Sequence, residues 1–414
     1  MKRLIFTLAA IVSGMTVSAQ VANTTQSHQV LENKLMQSIE HRFSEPSTPR
    51  FVFVDRQMKY ALGMGGSIRL TSSFGFGKII PQTPAYSFIP AQIQTGDIPL
   101  TKSQYLMSAN TSQIFFKLVG HNPILRDFTT FISMNFTGGR SGNAPQLRQA
   151  YVAFRGITAG RAWSAFNDLA AVTPTIDFQG PNGASQLLNY QIRYTMNLGQ
   201  RWQLAVSAEM PSIEARYSDN SQQLDQSIPD FVLFGQYHWN QGRNHIRLSG
   251  LMRNMNYHDD IADKNRINTG WAIQLSGLAN ITPALTAFWQ ATYGKGFSSY
   301  INDLSMLNLD MVPNNNTPGK MQSLKSWAGY AGLKMEFSPR VFCSVTYSQA
   351  KVYSEDSFFV DEMYKTGQYI AANIFWNLTE NCHLGAEYLM GKRTNMNKDD
   401  RSANRVNILV QYNF

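Results

Sequence analysis

The chain has 414 residues, 43% apolar and 15% charged, with 12% aromatics and a formal charge of +9. So many Phe, Tyr and Trp residues exclude a disordered chain, and 2 cysteines exclude a disulfide scaffold or a cysteine-rich metal module. After residue 20 no apolar run reaches the roughly 18 residues a membrane-spanning helix needs, so a helical membrane protein is excluded too.

In chain order, Lys2 and Arg3 precede the apolar stretch from Leu4 to Val12, and Val17-Ser18-Ala19 follows with small residues. This pattern predicts a secretory signal peptide over residues 1–19, cut after Ala19. Its removal takes two cations away; the remaining ones are dispersed singly, without the runs that mark a nucleic-acid tail. Residues 20–60 form a separate N-terminal segment. There Leu31, Leu35, Ile39 and Phe43 recur at every fourth position, which predicts a short amphipathic helix closed by Pro46 and Pro49. Such a short helix is marginal alone, so self-association in a coiled coil or a disordered tether are its two readings.

Residues 61–414 carry a different period. Tyr190, Ile192, Tyr194 and Met196 oppose Gln191, Arg193 and Thr195; Trp202, Leu204, Val206, Ala208 and Met210 oppose Gln203, Ser207 and Glu209. Runs of this kind are strands with one apolar and one polar face. Sixteen are predicted: 62–76, 112–120, 127–137, 147–154, 158–164, 189–196, 202–210, 230–239, 245–257, 269–279, 284–294, 326–337, 342–353, 367–377, 383–393 and 402–414. Most are about ten residues, enough for a tilted strand to cross a bilayer.

The connections alternate as well. Tight turns fall around residues 121–126, 155–157, 197–201, 240–244, 280–283, 338–341 and 378–382. Longer ones cover 77–111, 138–146, 165–188, 211–229, 258–268, 295–325, 354–366 and 394–401. Short turns at one end and long loops at the other are the rhythm of a transmembrane barrel. Trp163, Trp202, Trp239, Trp271, Trp327 and Trp376 lie near strand ends, where headgroup-level girdles form. The chain ends on Ile408, Val410, Tyr412 and Phe414, all on one face. The expected fold is all-β: an antiparallel transmembrane β-barrel of about sixteen strands behind a short N-terminal periplasmic helical segment.

No HExxH, CxxC, GxSxG or P-loop pattern occurs, so neither an enzyme nor a cofactor or metal site is expected. His238 and His245 flank one tight turn and read as interfacial residues; Cys343 and Cys382 read as free thiols a strand apart. Gly63-Met64-Gly65-Gly66 is expected to ease a bend at the start of the first strand. If apolar residues face lipid, then Arg69, Arg148, Arg161, Arg193, Arg247, Arg253 and Arg405 point into the lumen, where they either concentrate anions or pair with acids and strand-end carbonyls and fill the interior. Residues 165–188 are too apolar for a loop in water, so they either fold inward, with Asp168 and Asp177 facing those arginines across a constriction, or stay external and pack on their neighbours.

A family resemblance attaches to this region. Leu147-Arg148-Gln149-Ala150-Tyr151, Gly160-Arg161-Ala162-Trp163-Ser164-Ala165-Phe166-Asn167-Asp168, Thr175 through Gly183, and Gln191-Ile192-Arg193-Tyr194-Thr195 resemble DcaP-like outer-membrane porins in order and spacing, over about fifty residues. The rest of the chain matches that family in layout alone. The resemblance implies a sixteen-stranded homotrimeric porin with a periplasmic N-terminal coiled coil, passing small anionic solutes such as dicarboxylates. The N-terminal helix here is shorter and weaker in heptads than that pattern.

The expectation is therefore a Gram-negative outer-membrane diffusion channel, a homotrimer in contact with outer-membrane lipid and lipopolysaccharide, with mild anion preference. The rivals are a barrel enzyme, for which no nucleophile–base set or acid pair is found, and a plugged or adhesive barrel whose lumen residues 77–111 or 295–325 would fill.

Overall fold

The computed structural model describes residues 31, 33–36, 41–57, 59–77, 84–95, 103–139 and 142–414. The expected signal peptide and Ile39 lie outside the described residues.

Sixteen strands form the wall: β1 Tyr60–Gly77, β2 Gln113–Asn122, β3 Arg126–Gly138, β4 Ala144–Phe154, β5 Ile157–Trp163, β6 Leu188–Leu198, β7 Trp202–Glu209 and β8 Asp230–Trp239 in the first half. The second half adds β9 Asn244–Asp259, β10 Lys264–Asn280, β11 Leu285–Lys295, β12 Lys325–Ser338, β13 Val341–Val352, β14 Tyr364–Asn377, β15 Cys382–Asn395 and β16 Asp400–Asn413. Each pairs antiparallel with the next, and β1 closes the barrel on β16 from Ser67↔Asn413 to Gly77↔Ala403. The last residue completes the seam: Gly66 N–H donates to Phe414 O at 2.7 Å, and Phe414 N–H to Gly66 O at 2.9 Å. Closure leaves no edge of the wall unpaired, which a lipid-embedded sheet requires.

The alternation read in the sequence is the inside–outside alternation of the wall. On β1, Ile68, Leu70 and Phe74 face outward, while Arg69, Thr71 and Ser73 are buried inside. Turns are as tight as expected at one end, here termed the turn end. The β4–β5 hairpin has two loop residues, Arg155 and Gly156, both at positive φ, as a twist-matched hairpin needs.

Two expectations change. The connections at 139–143, 260–263 and 396–399 are as short as turns, because β3 and β4, β9 and β10, and β15 and β16 run on past their expected bounds. Beyond the bilayer both faces of a strand are wet, so pairing continues without an apolar signature. Trp163 does not join the outer girdle, where Trp202, Trp271 and Trp376 stand; it is 5% exposed and turned to the interior.

The lumen holds its own apolar core. Phe166, Phe297, Tyr300, Ile301 and Leu304 from inward-folded loops pack on Val232, Phe234 and Leu251 of the wall, and Phe88 and Ile93 pack on Tyr369 and Leu389.

Candidate functional site: the lumenal constriction

The connection between β5 and β6 folds into the barrel, one of the two courses its composition allows. Its buried backbone needs partners, and the polar face of the wall supplies them. Phe166 O accepts from Gln274 Nε2 at 2.7 Å, and Asn167 O from Arg247 Nη1 at 2.6 Å. Pro174 O accepts from Ser344 Oγ at 2.6 Å. The Ile176 and Asp177 amides donate to the two carboxylate oxygens of Glu387, at 2.8 and 2.7 Å. Gly183 N–H then donates to Ser348 Oγ at 2.8 Å. The loop thus crosses from β9 and β10 to β15 and returns along β13 and β11.

Two further loops meet it. Asp303, from the β11–β12 connection, accepts from Ala91 N–H and Asn182 Nδ2 at 2.9 Å each, and from Tyr364 Oη at 2.5 Å. One carboxylate therefore ties the 84–93 segment, the 164–187 loop and the 297–311 segment into a single knot.

From the turn end comes a fourth occupant, which the sequence did not reveal. Leu31 and Leu35 are helical and pack on Ala61 and Val119 of the inner wall, with Lys117 Nζ donating to Leu35 O at 2.8 Å. Residues 41–50 then run under the constriction loop. Arg42 donates to Phe178 O and lies over the Phe178 ring at 5.1 Å and the Trp163 ring at 5.7 Å. Glu45 pairs with Arg148 at 3.0 Å. Pro49 crosses Gly63, where an added Cβ would meet the Pro49 ring at 2.6 Å, so Gly63 admits a crossing chain rather than easing a bend. The segment leaves as a short strand, Phe51–Val54, paired with Ala61–Met64.

The arginines divide into three groups. Arg247, Arg253 and Arg405 are buried loop fasteners. Arg253 pairs with Asp230 at 2.9 Å and Asp310 at 3.1 Å, and Arg405 Nη1 donates to Ser87 O at 2.6 Å. Arg69 and Arg148 approach the constriction and, with Arg42, surround one aromatic ring: their guanidinium carbons lie 5.9, 5.7 and 5.1 Å from the Phe178 centroid. Arg148 is the extra residue of a β-bulge between β3 and β4, which re-aims its side chain inward. Arg193 stands on the lumenal face opposite Thr158 and Ser207.

Arg161 is a correction. Register sets it opposite Ala150 and Tyr190, and its guanidinium lies 5.5 Å from the Tyr190 ring, which is 51% exposed on the outer wall. The Gly160–Arg161 stretch reads as alternating either way, and only pairing decides its parity. Asp168 and Asp177 are also placed differently from a pair facing arginines across an open gap. Asp168 is bound 2.8 Å from His245 Nε2 and accepts from Ser276 Oγ at 2.6 Å. His245 is accordingly a buried lumenal residue, not an interfacial one. Asp177 accepts from Phe88 N–H and Gln179 N–H at 3.2 Å and from Tyr369 Oη at 3.1 Å. Cys343 and Cys382 are free.

Comparisons with known proteins agree with this architecture. The family model described as Porin subfamily matches residues 124–409. No curated protein matches the chain. Among solved structures, the outer membrane channel DcaP of Acinetobacter baumannii superposes with a TM-score of 0.75 at 19% identity, covering 87% of this chain and 99% of that one. An anion-selective porin from Comamonas acidovorans gives 0.54 at 10% identity, covering 86% and 100%. The trimer form of OmpT, an outer membrane protein of Vibrio cholerae, gives 0.54 at 9% identity, with the same coverage. At these identities the structural likenesses speak for the fold, whereas the family match spans more than half of the chain. A closed sixteen-stranded barrel with a loop folded into its lumen and that family match lead to one conclusion: the chain belongs to the porin subfamily, the outer-membrane channels of Gram-negative bacteria.

Proposed function

We propose that this porin passes small hydrophilic solutes by passive diffusion and prefers anions of the dicarboxylate kind. The observation that carries the preference is the convergence of Arg42, Arg69 and Arg148 on Phe178 of the inward-folded loop, with one ion-paired acid, Glu45, among them. The nearby carboxylates of Asp177 and Glu387 are taken up by loop amides and Tyr369. In a low-dielectric passage such a cluster raises the local concentration of anions. The Comamonas neighbour is described as anion-selective and the OmpT neighbour as a trimer, which supports reading this chain as an anion-preferring homotrimer. Its outer wall then meets its own copies, membrane lipid and lipopolysaccharide, and its turn end and N-terminal segment face the periplasm.

The test is the reversal potential of reconstituted protein under a potassium chloride gradient. Arg148→Glu combined with Arg193→Glu is expected to move it toward cation selectivity; an unchanged value removes both residues from the passage. One observation favours a second reading, a plugged barrel: residues 41–50, 84–93 and 297–311 all pack within the lumen. Silence from a folded, heat-modifiable barrel would favour that reading.

A further inference from the structure

The outer wall carries a charge arrangement that its strands by themselves do not favour. At the loop end, Lys295 of β11 stands directly opposite Lys325 of β12. Both continue the outward face of their strands, Lys295 from Tyr293 and Lys325 from Leu333. Like charges repel at such a position, because the side chains of a direct pair start about 4.5–5.5 Å apart. A third lysine joins them on β13: Lys351 stands opposite Trp327, and its Nζ lies 4.8 Å from the centre of the Tyr353 ring. Tyr353 adjoins Lys325, to whose carbonyl its N–H donates at 2.9 Å. Among the described residues no acid pairs with any of the three lysines, Glu355 and Asp356 just beyond Tyr353 included. Lys392, further round the wall on β15, has Asp400 for its charge.

The surface below the lysines completes the outline of an amphiphile. Tyr293 and Trp327 pair one step nearer the middle of the wall, and Trp271, opposite Lys295, packs edge-on against Tyr293 at 6.0 Å. Rings of this kind settle at the headgroup level, so the lysines stand level with the phosphates of the leaflet. Beneath the rings Ile273, Leu275, Leu333 and Val345 present an exposed apolar surface. A lysine at this depth costs little, since its stem lies along apolar surface and its ammonium reaches out. Three ammonium groups on adjacent strands span about 10 Å. A free phosphate would use the lysines alone. A phosphorylated lipid uses the lysines, the rings and the apolar surface together.

We propose that Lys295, Lys325 and Lys351 hold a phosphate of lipopolysaccharide in the outer leaflet, with its acyl chains along the apolar wall beneath. The inference rests on the orientation given above, with the turn end toward the periplasm, and gives the lipid contact of that reading a place on the barrel. A phosphate between Lys295 and Lys325 replaces their repulsion by two charge-assisted hydrogen bonds.

The test uses full-length protein in neutral detergent, titrated with bisphosphorylated lipid A and read by native mass spectrometry. Lys295→Gln combined with Lys325→Gln is expected to weaken binding about thirtyfold. Arg161→Gln combined with Lys392→Gln removes the same charge elsewhere on the wall and should leave binding unchanged. Thermal unfolding gives a second readout that a merely structural role would not produce. Without lipid the double lysine variant should outlast wild type, because a repulsion is gone; with lipid A the order should reverse. Wild-type affinity in the lysine variant overturns the inference, and so does dephosphorylated lipid A that binds as well as the phosphorylated form. Inorganic phosphate that binds as tightly as lipid A would make this a site for a free anion and overturn the lipid as well. Conductance of the same samples separates the two layers. A conducting barrel without lysine-dependent binding sinks this inference alone, whereas a silent barrel that keeps such binding sinks the channel reading alone.

Discussion

Neighbouring residues on one strand live in different chemistries. On β8, Leu233 is 63% exposed on the outer wall while Val232 and Phe234 are buried in the lumenal core; on β1, Ile68 faces out and Arg69 faces in. Outside, a side chain meets a solvent without structure, so polarity is the main demand on it. Inside, a polar side chain has a particular backbone partner supplied by a loop: Gln274 holds Phe166, Ser344 holds Pro174, Glu387 holds Ile176 and Asp177. The outer face therefore tolerates exchange within a polarity class, and the inner face does not.

The largest test of that contrast is Arg253→Ala. It leaves Asp230 and Asp310 buried without their cation, and should cost about 3–5 kcal/mol in denaturant unfolding of the folded barrel. A loss well under 1 kcal/mol would show that the inner face is as tolerant as the outer. Next comes Leu233→Arg on the lipid side, expected to cost about 2–4 kcal/mol in a bilayer, with Leu233→Phe near neutral. Glu387→Gln, which keeps the shape, should cost about 1.5–3 kcal/mol and speed amide exchange at Ile176 and Asp177; unchanged exchange would mean the loop is held elsewhere.

Smaller effects follow at the knot and the outer wall. Burial pushes the Asp303 carboxyl up to about 6, above its ordinary 3.8. A group bound more tightly to its proton in the folded state adds stability that is complete below its ordinary value and lost as pH rises through about 6. The melting temperature of wild-type protein should therefore fall more between pH 4 and 7 than that of Asp303→Asn, and parallel curves would refute the assignment. Arg161→Ala is expected to do least. Its partner is an outward Tyr190, so stability should change by under about 1 kcal/mol, and the reversal potential should stay put. A clear shift in selectivity would return Arg161 to the lumen.

Local pattern made the wall legible because a barrel strand has an apolar face and a polar face over its whole membrane-crossing length. Each of the sixteen predicted runs overlaps one strand in order, and β4 and β5 differ from their predicted bounds by only a few residues. The reading weakened wherever that two-sided environment stopped. Beyond the expected runs, β9 continues through His258 and Asp259 and β10 begins at Lys264, through residues that are polar apart from Ile267. At the β4 bulge and near Gly160 the parity shifts, and with it the faces of Arg148 and Arg161. The need of residues 165–188 for cover was visible in their composition, since Phe166, Leu169 and Ile176 needed burial. What they bind was not, because Glu387, Ser344 and His245 lie far along the chain. Arg42 and Glu45 gave no signal of a lumenal place: the helix period read through Phe43 fails there, since residues 41–50 are not helical, and their positions follow from contacts with Trp163, Phe178 and Arg148.

By itself the sequence determined the barrel and its strand order and marked the 165–188 loop as one that needs burial, because period, length and hydropathy act between residues that are close in the chain. Tertiary structure alone decided which arginines are fasteners, which surround Phe178 and which face outward, and it alone brought the N-terminal segment under the constriction. Those outcomes depend on which groups closure of the wall places opposite one another, and a buried charge takes its role from the partner it meets there.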